Sequence, residues 1–113
     1  MDKNPLIFIV HILDCISNIK NYTLDFTEED FLRNKMVQDA VIRNFEIIGE
    51  ATKQIQVEFR AKYPNIEWKR IAGLRGKLIH DYIGVDLWAV WAVIEDLLPE
   101  LEDNINSIIR LES

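Results

Sequence analysis

Arg75, His80 and Tyr82 stand close together in the stretch Gly73-Leu74-Arg75-Gly76-Lys77-Leu78-Ile79-His80-Asp81-Tyr82. A permanent guanidinium beside an imidazole that can titrate near neutral pH suits one reaction above others, metal-free cleavage of RNA. A base takes the proton of the 2′-hydroxyl, an acid protonates the leaving 5′-oxygen, and a cation steadies the charge on the phosphorane. Arg75 and His80 can fill those roles, with Lys77 and Asp81 as candidate supporting groups in the same stretch. Their five-residue spacing separates them by roughly 140° on a straight helix. Convergence therefore needs long side chains meeting over one edge, or a partner surface that completes the site.

The motif holds one histidine. The other, His11, falls on the first helix and reads as structural. A base and an acid both drawn from histidine therefore require two chains, and a two-fold dimer placing Arg75 and His80 beside their symmetry mates supplies them. Gly76 lies one turn before His80 and leaves open the space beneath the imidazole. A bland reading competes: Arg, His and Tyr near a helix end also occur as a packing and capping cluster, and Lys69, Arg70, Arg75 and Lys77 also read as a wet face. No metal-ligand pattern, glycine-rich phosphate loop or serine triad stands against either reading, so no metal and no cofactor are expected.

The elements that must position these residues read as helices. Four glycines and three prolines interrupt the chain, strand-type alternation is absent, and apolar residues recur at three and four. Asn4 and Pro5 open a first helix to about Lys20, with Leu6, Ile9, Leu13 and Ile16 as its stripe. Thr27 and Asp30 form a capping box that starts a long helix, bent near Asn34 and ending before Pro64. Its apolar arc is Val37, Ala40, Val41, Ile48, Ala51, Ile55 and Phe59, and Asn44 sits in the middle of it. A buried carboxamide must find partners, so Asn44 either orients Arg75 or His80 or bonds backbone or its own symmetry mate. Arg43, Glu46, Glu50 and Lys53 fall opposite, as a solvated, ion-paired face. A third helix begins at Trp68 and carries the motif to about Tyr82, where Gly84 stops it. Asp86 caps the last helix, which bears Trp88, Trp91, Ile94, Leu98 and Leu101 and is bent or broken by Pro99. The expected fold is all-α, a four- or five-helix up-and-down bundle formed by one domain over residues 1–113.

Totals narrow the function. A net charge of -6 opposes strong non-specific nucleic-acid binding, so any contact with RNA is local and no stable DNA binding is expected. The single cysteine, Cys15, excludes a disulfide framework and reads as a buried thiol. The first apolar run, from Leu6 to Leu13, is too short to span a bilayer, and a cytoplasmic protein is expected.

The spacing Arg75-x4-His80-x-Tyr82 resembles the motif of the HEPN superfamily, and specifically its HepT-like toxin branch. The segment from Asp39 to Ala51, together with Ile66-Glu67-Trp68, Ile71-Ala72-Gly73-Leu74 and Gly84-Val85-Asp86, resembles that branch too. The chain departs from related motifs at Gly76, where a polar residue, commonly Asn, follows the arginine. The resemblance implies a homodimer whose paired Arg75 and His80 form a metal-independent ribonuclease site acting on RNA. It also implies a toxin paired with an MntA-like nucleotidyltransferase antitoxin, which transfers AMP from ATP to Tyr82. Two other readings remain open on the sequence: a non-catalytic protein that binds and regulates such a nucleotidyltransferase, and a nucleotide-binding accessory subunit.

Overall fold

The computed structural model describes residues 4–74 and 86–113, which form helices and turns with no strand among them. The all-α expectation holds. Helix α1 spans Pro5–Tyr22, with Pro5 in its first turn and the Asn4 side chain accepting from the Leu6 amide at 2.9 Å. Ile9, Ile12, Cys15, Ile16 and Ile19 are its buried face, while Leu6 and Leu13 are half-buried against the same core. It runs two residues past the expected end, and the Thr23 hydroxyl then donates to the Ile19 carbonyl at 2.8 Å. In the following loop Asp25 takes a φ of 61°, a left-handed conformation that aspartate tolerates better than most residues.

The long second helix of the sequence reading is broken twice. Helix α2 covers Glu28–Arg33 behind the Thr27 and Asp30 capping box, both of whose hydrogen bonds form. Asn34 ends α2 and opens α3, Lys35–Gln54: its backbone amide donates to Phe31 and its side chain accepts from the Val37 amide at 3.0 Å. Its extended backbone makes the expected bend a break. The second break, at Ile55 and Gln56, puts Phe59 on a separate short helix, α4, Val57–Arg60. Ile55 and Phe59 are both buried, so packing sets this corner.

Helix α5, Trp68–Ala72, precedes the motif stretch, and α6, Leu87–Ala92, follows it. The helix then widens into a π-turn, Val93–Leu97, in which the Leu98 amide reaches back five residues to the Val93 carbonyl, before α7, Leu98–Glu112. Pro99 sits in the first turn of α7. It lacks an amide proton and its ring crowds the carbonyl four residues earlier, so the expected interruption falls in the turn just before it.

Helix α1 lies along α3 in the opposite sense, Phe8 near Gln54 and Asn18 near Asn44, and packs its other flank on α7. Helix α2 bridges α3 and α6, where the rings of Phe31 and Trp91 meet at 5.4 Å. Phe31, Phe45, Ile48, Val90, Leu101, Ile105 and Ile108 join the α1 face in a shared core. Each such side chain stabilises the fold by about 1.5–3 kcal/mol relative to exposure. Trp91 is buried, whereas Trp88 faces outward and is 63% exposed, so the two do not share the core.

Candidate functional site

The predicted catalytic pair, Arg75 and His80, and Tyr82, Lys77, Asp81, Gly76 and Gly84, lie outside the described residues. The structure does describe the chain on either side. Trp68 is buried, and its indole N–H is shared between the carbonyls of Arg60, at 3.1 Å, and Tyr63, at 3.0 Å. That bond pins the first residue of α5 to the corner formed by α4. Ile66, Ile71 and Leu74 are buried too, so the backbone is fixed in the core up to the residue before Arg75. On the far side the Asp86 side chain accepts from the Ala89 amide at 3.1 Å, the cap read from the sequence. Lys69 and Arg70 are exposed, with Arg70 paired to Glu67 at 3.3 Å.

Asn44 is buried, as its place on the apolar arc of α3 requires. Its Nδ2 donates to the Ala40 carbonyl at 2.8 Å, and its Oδ1 accepts from Asn18 Nδ2 at 3.1 Å. The carboxamide thus ties α3 to α1 and satisfies both of its ends within the bundle.

The face of α3 that carries Arg43, Glu46 and Glu50 is not simply solvated. Arg43 and Glu46 form the expected ion pair, at 3.1 Å. Together with His11 on α1 they also line an open groove of about 360 Å³ between the two helices. Phe8, Ile47 and Ala51 form its apolar floor; His11, Arg43, Glu46, Glu50 and Gln54 form its polar rim. His11 is exposed on this rim, which corrects its reading as a structural histidine. The signal was present in two stripes, Phe8 with His11 at three and Arg43 to Gln54 at three and four, but a groove needs the pairing of the helices as well.

Two further clusters have clear electrostatics. Glu112 accepts from Lys62 at 2.8 Å and from the Tyr63 hydroxyl in a short hydrogen bond. Bonds from Lys62 and then from Tyr63 hold its carboxyl below the ordinary value, and the same bond to Glu112, followed by desolvation, pushes the Tyr63 hydroxyl up to about 12. The Cys15 thiol is buried as expected, and burial followed by the nearby Asp14 charge pushes it up to about 11. No group of histidine, cysteine and carboxylate side chains that could hold a metal occurs among the described residues. None of the described helices is long and apolar enough to cross a membrane.

The model of a family described as ribonuclease HepT-like matches residues 12–108. A Methanocaldococcus jannaschii protein named as a gamma-glutamylcyclotransferase and candidate RNase is 48% identical over 110 residues, covering 97% of this chain and 50% of that protein. The chain therefore spans half the length of that relative. A second M. jannaschii protein, named as a candidate RNase, is 44% identical over 103 residues, covering 91% of this chain and 89% of its own. A Thermococcus cleftensis protein named as a candidate ribonuclease HepT is 39% identical over 102 residues, covering 90% and 93%. No solved structure gives a significant match.

Proposed function

Because the chain belongs to the ribonuclease HepT-like family, we propose that it is a metal-independent endoribonuclease whose site is built from Arg75 and His80 of two subunits of a homodimer. The family match over residues 12–108, which contains the whole Arg75-x4-His80-x-Tyr82 motif, is the observation that carries this reading. The core anchoring of Leu74 and the cap at Asp86, which hold the chain on both sides of the motif, also support it.

In the proposed reaction Arg75 neutralises the scissile phosphate. One His80 takes the proton of the 2′-hydroxyl, and its oxygen forms a bond to phosphorus. The bond from phosphorus to the 5′-oxygen breaks, and the partner's protonated His80 supplies that oxygen with its proton. The products are a 2′,3′-cyclic phosphate and a 5′-hydroxyl end, and each histidine finishes in the protonation state of the other. Lys77 and Asp81 are supporting groups of the same stretch.

The role is that of a toxin restrained by a nucleotidyltransferase of the MntA type. That partner transfers AMP from ATP to the Tyr82 oxygen and releases pyrophosphate. The added phosphate sets negative charge beside Arg75 and blocks RNA.

Intact mass, peptide mapping and an RNA-cleavage assay on the protein, alone and co-expressed with such a nucleotidyltransferase, test the reading together. AMP-sized additions on Tyr82 accompanied by loss of cleavage are expected. Arg75→Ala and His80→Ala should each abolish cleavage while leaving the dimer intact. Cleavage that survives both substitutions rejects the site. A dimer that co-purifies with the nucleotidyltransferase yet cleaves no RNA in either state identifies a regulatory binding protein instead.

A further inference from the structure

We infer that Trp68 is a positioning residue for Arg75, setting the motif arginine in place through the backbone of α5; the inference rests on the ribonuclease reading above. Helix α5 has five residues, and Glu67 before it makes no side-chain cap hydrogen bond. So short a helix does not hold itself, since isolated helices are marginal in water even at roughly 12–15 residues. Its place must be fixed by the rest of the bundle.

Two kinds of contact fix it. Ile66, Ile71 and Leu74 are buried and keep the segment against the core. Burial is non-directional, however, and leaves a short helix free to turn or slide by small amounts. The directional constraint is the indole N–H of Trp68, which donates to the carbonyls of Arg60 at 3.1 Å and Tyr63 at 3.0 Å. Among the described residues it makes the only side-chain hydrogen bonds from α5 to another element, because Arg70 pairs with the neighbouring Glu67. Backbone bonds from the Ile71 amide to Glu67 and from the Gly73 amide to Lys69, at 3.1 and 3.0 Å, carry the path onward. Gly73 keeps a right-handed helical conformation, φ -74° and ψ -10°, so the turn leads to Leu74, the residue joined to Arg75 in the chain.

The acceptor side is held as well. Helix α4 has four residues and also lacks a side-chain cap. The Tyr63 hydroxyl donates to Glu112 in the last turn of α7, and the Tyr63 ring lies 5.5 Å from that of Phe59. The Lys62 ammonium pairs with the same Glu112 at 2.8 Å and sits 5.3 Å from the centre of the Phe59 ring. The corner that receives the indole is thereby clamped to the end of α7. Trp68 is only 8% exposed, so any influence on RNA cleavage passes through the chain rather than through contact with the substrate. Misplacing a reacting group by about 1 Å can cost about a hundredfold in rate.

The test measures kcat and KM on one oligoribonucleotide for the wild type and three variants, each assayed well below its own melting temperature. Trp68→Phe keeps an aromatic ring without the N–H, and Tyr63→Phe keeps the ring without the hydroxyl. Ile19→Val is the control, a buried change at the end of α1 away from α4. Trp68→Phe should lower kcat at least tenfold with KM changed less than threefold, and Tyr63→Phe should lower kcat at least threefold. Ile19→Val should stay within twofold. Amide exchange followed by NMR should be at least tenfold faster at Gly73 in Trp68→Phe and unchanged at Ile16. Unchanged kcat in Trp68→Phe, or an equal loss in Ile19→Val, overturns the positioning role and leaves the ribonuclease standing. Should Trp68→Phe fail to fold, unchanged kcat in Tyr63→Phe overturns it. A wild type that cleaves no RNA removes the ribonuclease reading instead, and the exchange result then decides the tether: faster exchange at Gly73 alone supports it, unchanged exchange overturns it.

Discussion

At the scale of single residues, the side chains with the clearest consequences are those whose partners are visible. Asn44→Ala removes the hydrogen bond that ties α3 to Asn18 of α1 and the side-chain bond to the Ala40 carbonyl of its own helix. A loss of about 1–3 kcal/mol is expected, seen in thermal melts as a drop of several degrees, with cleavage retained at temperatures where the variant stays folded. Loss of cleavage in the folded variant would give Asn44 the orienting role as well. The Cys15 thiol, raised to about 11 by burial, is almost wholly protonated at pH 8. Native protein should resist thiol alkylation at that pH, and denatured protein should react within minutes.

Glu112 and Tyr63 define a pH window with two signs. The Glu112 carboxyl is lowered, so its contribution is present above its unfolded value of 4.5 and is lost as the pH falls through the folded value. The Tyr63 hydroxyl is raised from 10.0 to about 12, so its contribution is present below 10.0 and is lost as the pH rises through about 12. Hydrogen exchange in the last turn of α7 should therefore be slowest relative to its intrinsic rate between those limits. Glu112→Gln should raise it at neutral pH and flatten the acid limb.

At the scale of elements, the legible parts were those written in neighbouring residues. Asn4 with Pro5, Thr27 with Asp30, and Asp86 each act within one helical turn, and each cap forms where the sequence placed it. The sequence places only a bend near Asn34, whereas its carboxamide caps α3 on extended backbone and so makes a full break. Asn34→Ala should cost about 1 kcal/mol by leaving the Val37 amide without that acceptor, as a urea titration would show. The corner at Ile55 and Gln56 was illegible because no residue there announces it: Gln56 makes no side-chain cap, and the burial of Ile55 and Phe59 is decided by other helices. His11 failed for the same reason. Its helix is apolar, but its environment is created by a facing stripe more than thirty residues away.

At the scale of the whole molecule, the chain carries a net charge of -6, so substrate affinity cannot rest on a broad basic surface. With one motif arginine from each subunit of the proposed dimer neutralising about two phosphates, the logarithm of affinity for single-stranded RNA should fall with the logarithm of salt at a slope of about -1.4. Between 50 and 200 mM salt this amounts to less than about tenfold, measurable from KM. A slope several times steeper would reveal a phosphate track beyond the motif. The fold class was legible at this scale because the three and four periodicity is continuous along the chain. The meeting of helix faces was not, because it depends on which stripe turns toward which.

The π-turn at Val93–Leu97 gives the last helical run one residue of slack. Each residue of an α-helix rotates its side chain by about 100°, so an added residue in a regular helix would turn Trp91 away from Phe31 or Leu101 and Ile105 away from α1. Widening a single turn absorbs that residue locally and leaves the inward faces of α6 and α7 in phase. Glu95 and Asp96, both exposed, are where the excess is stored. Length variation in descendants of this chain should therefore concentrate there, since a residue can come or go at that turn without the rest of the bundle having to be rephased.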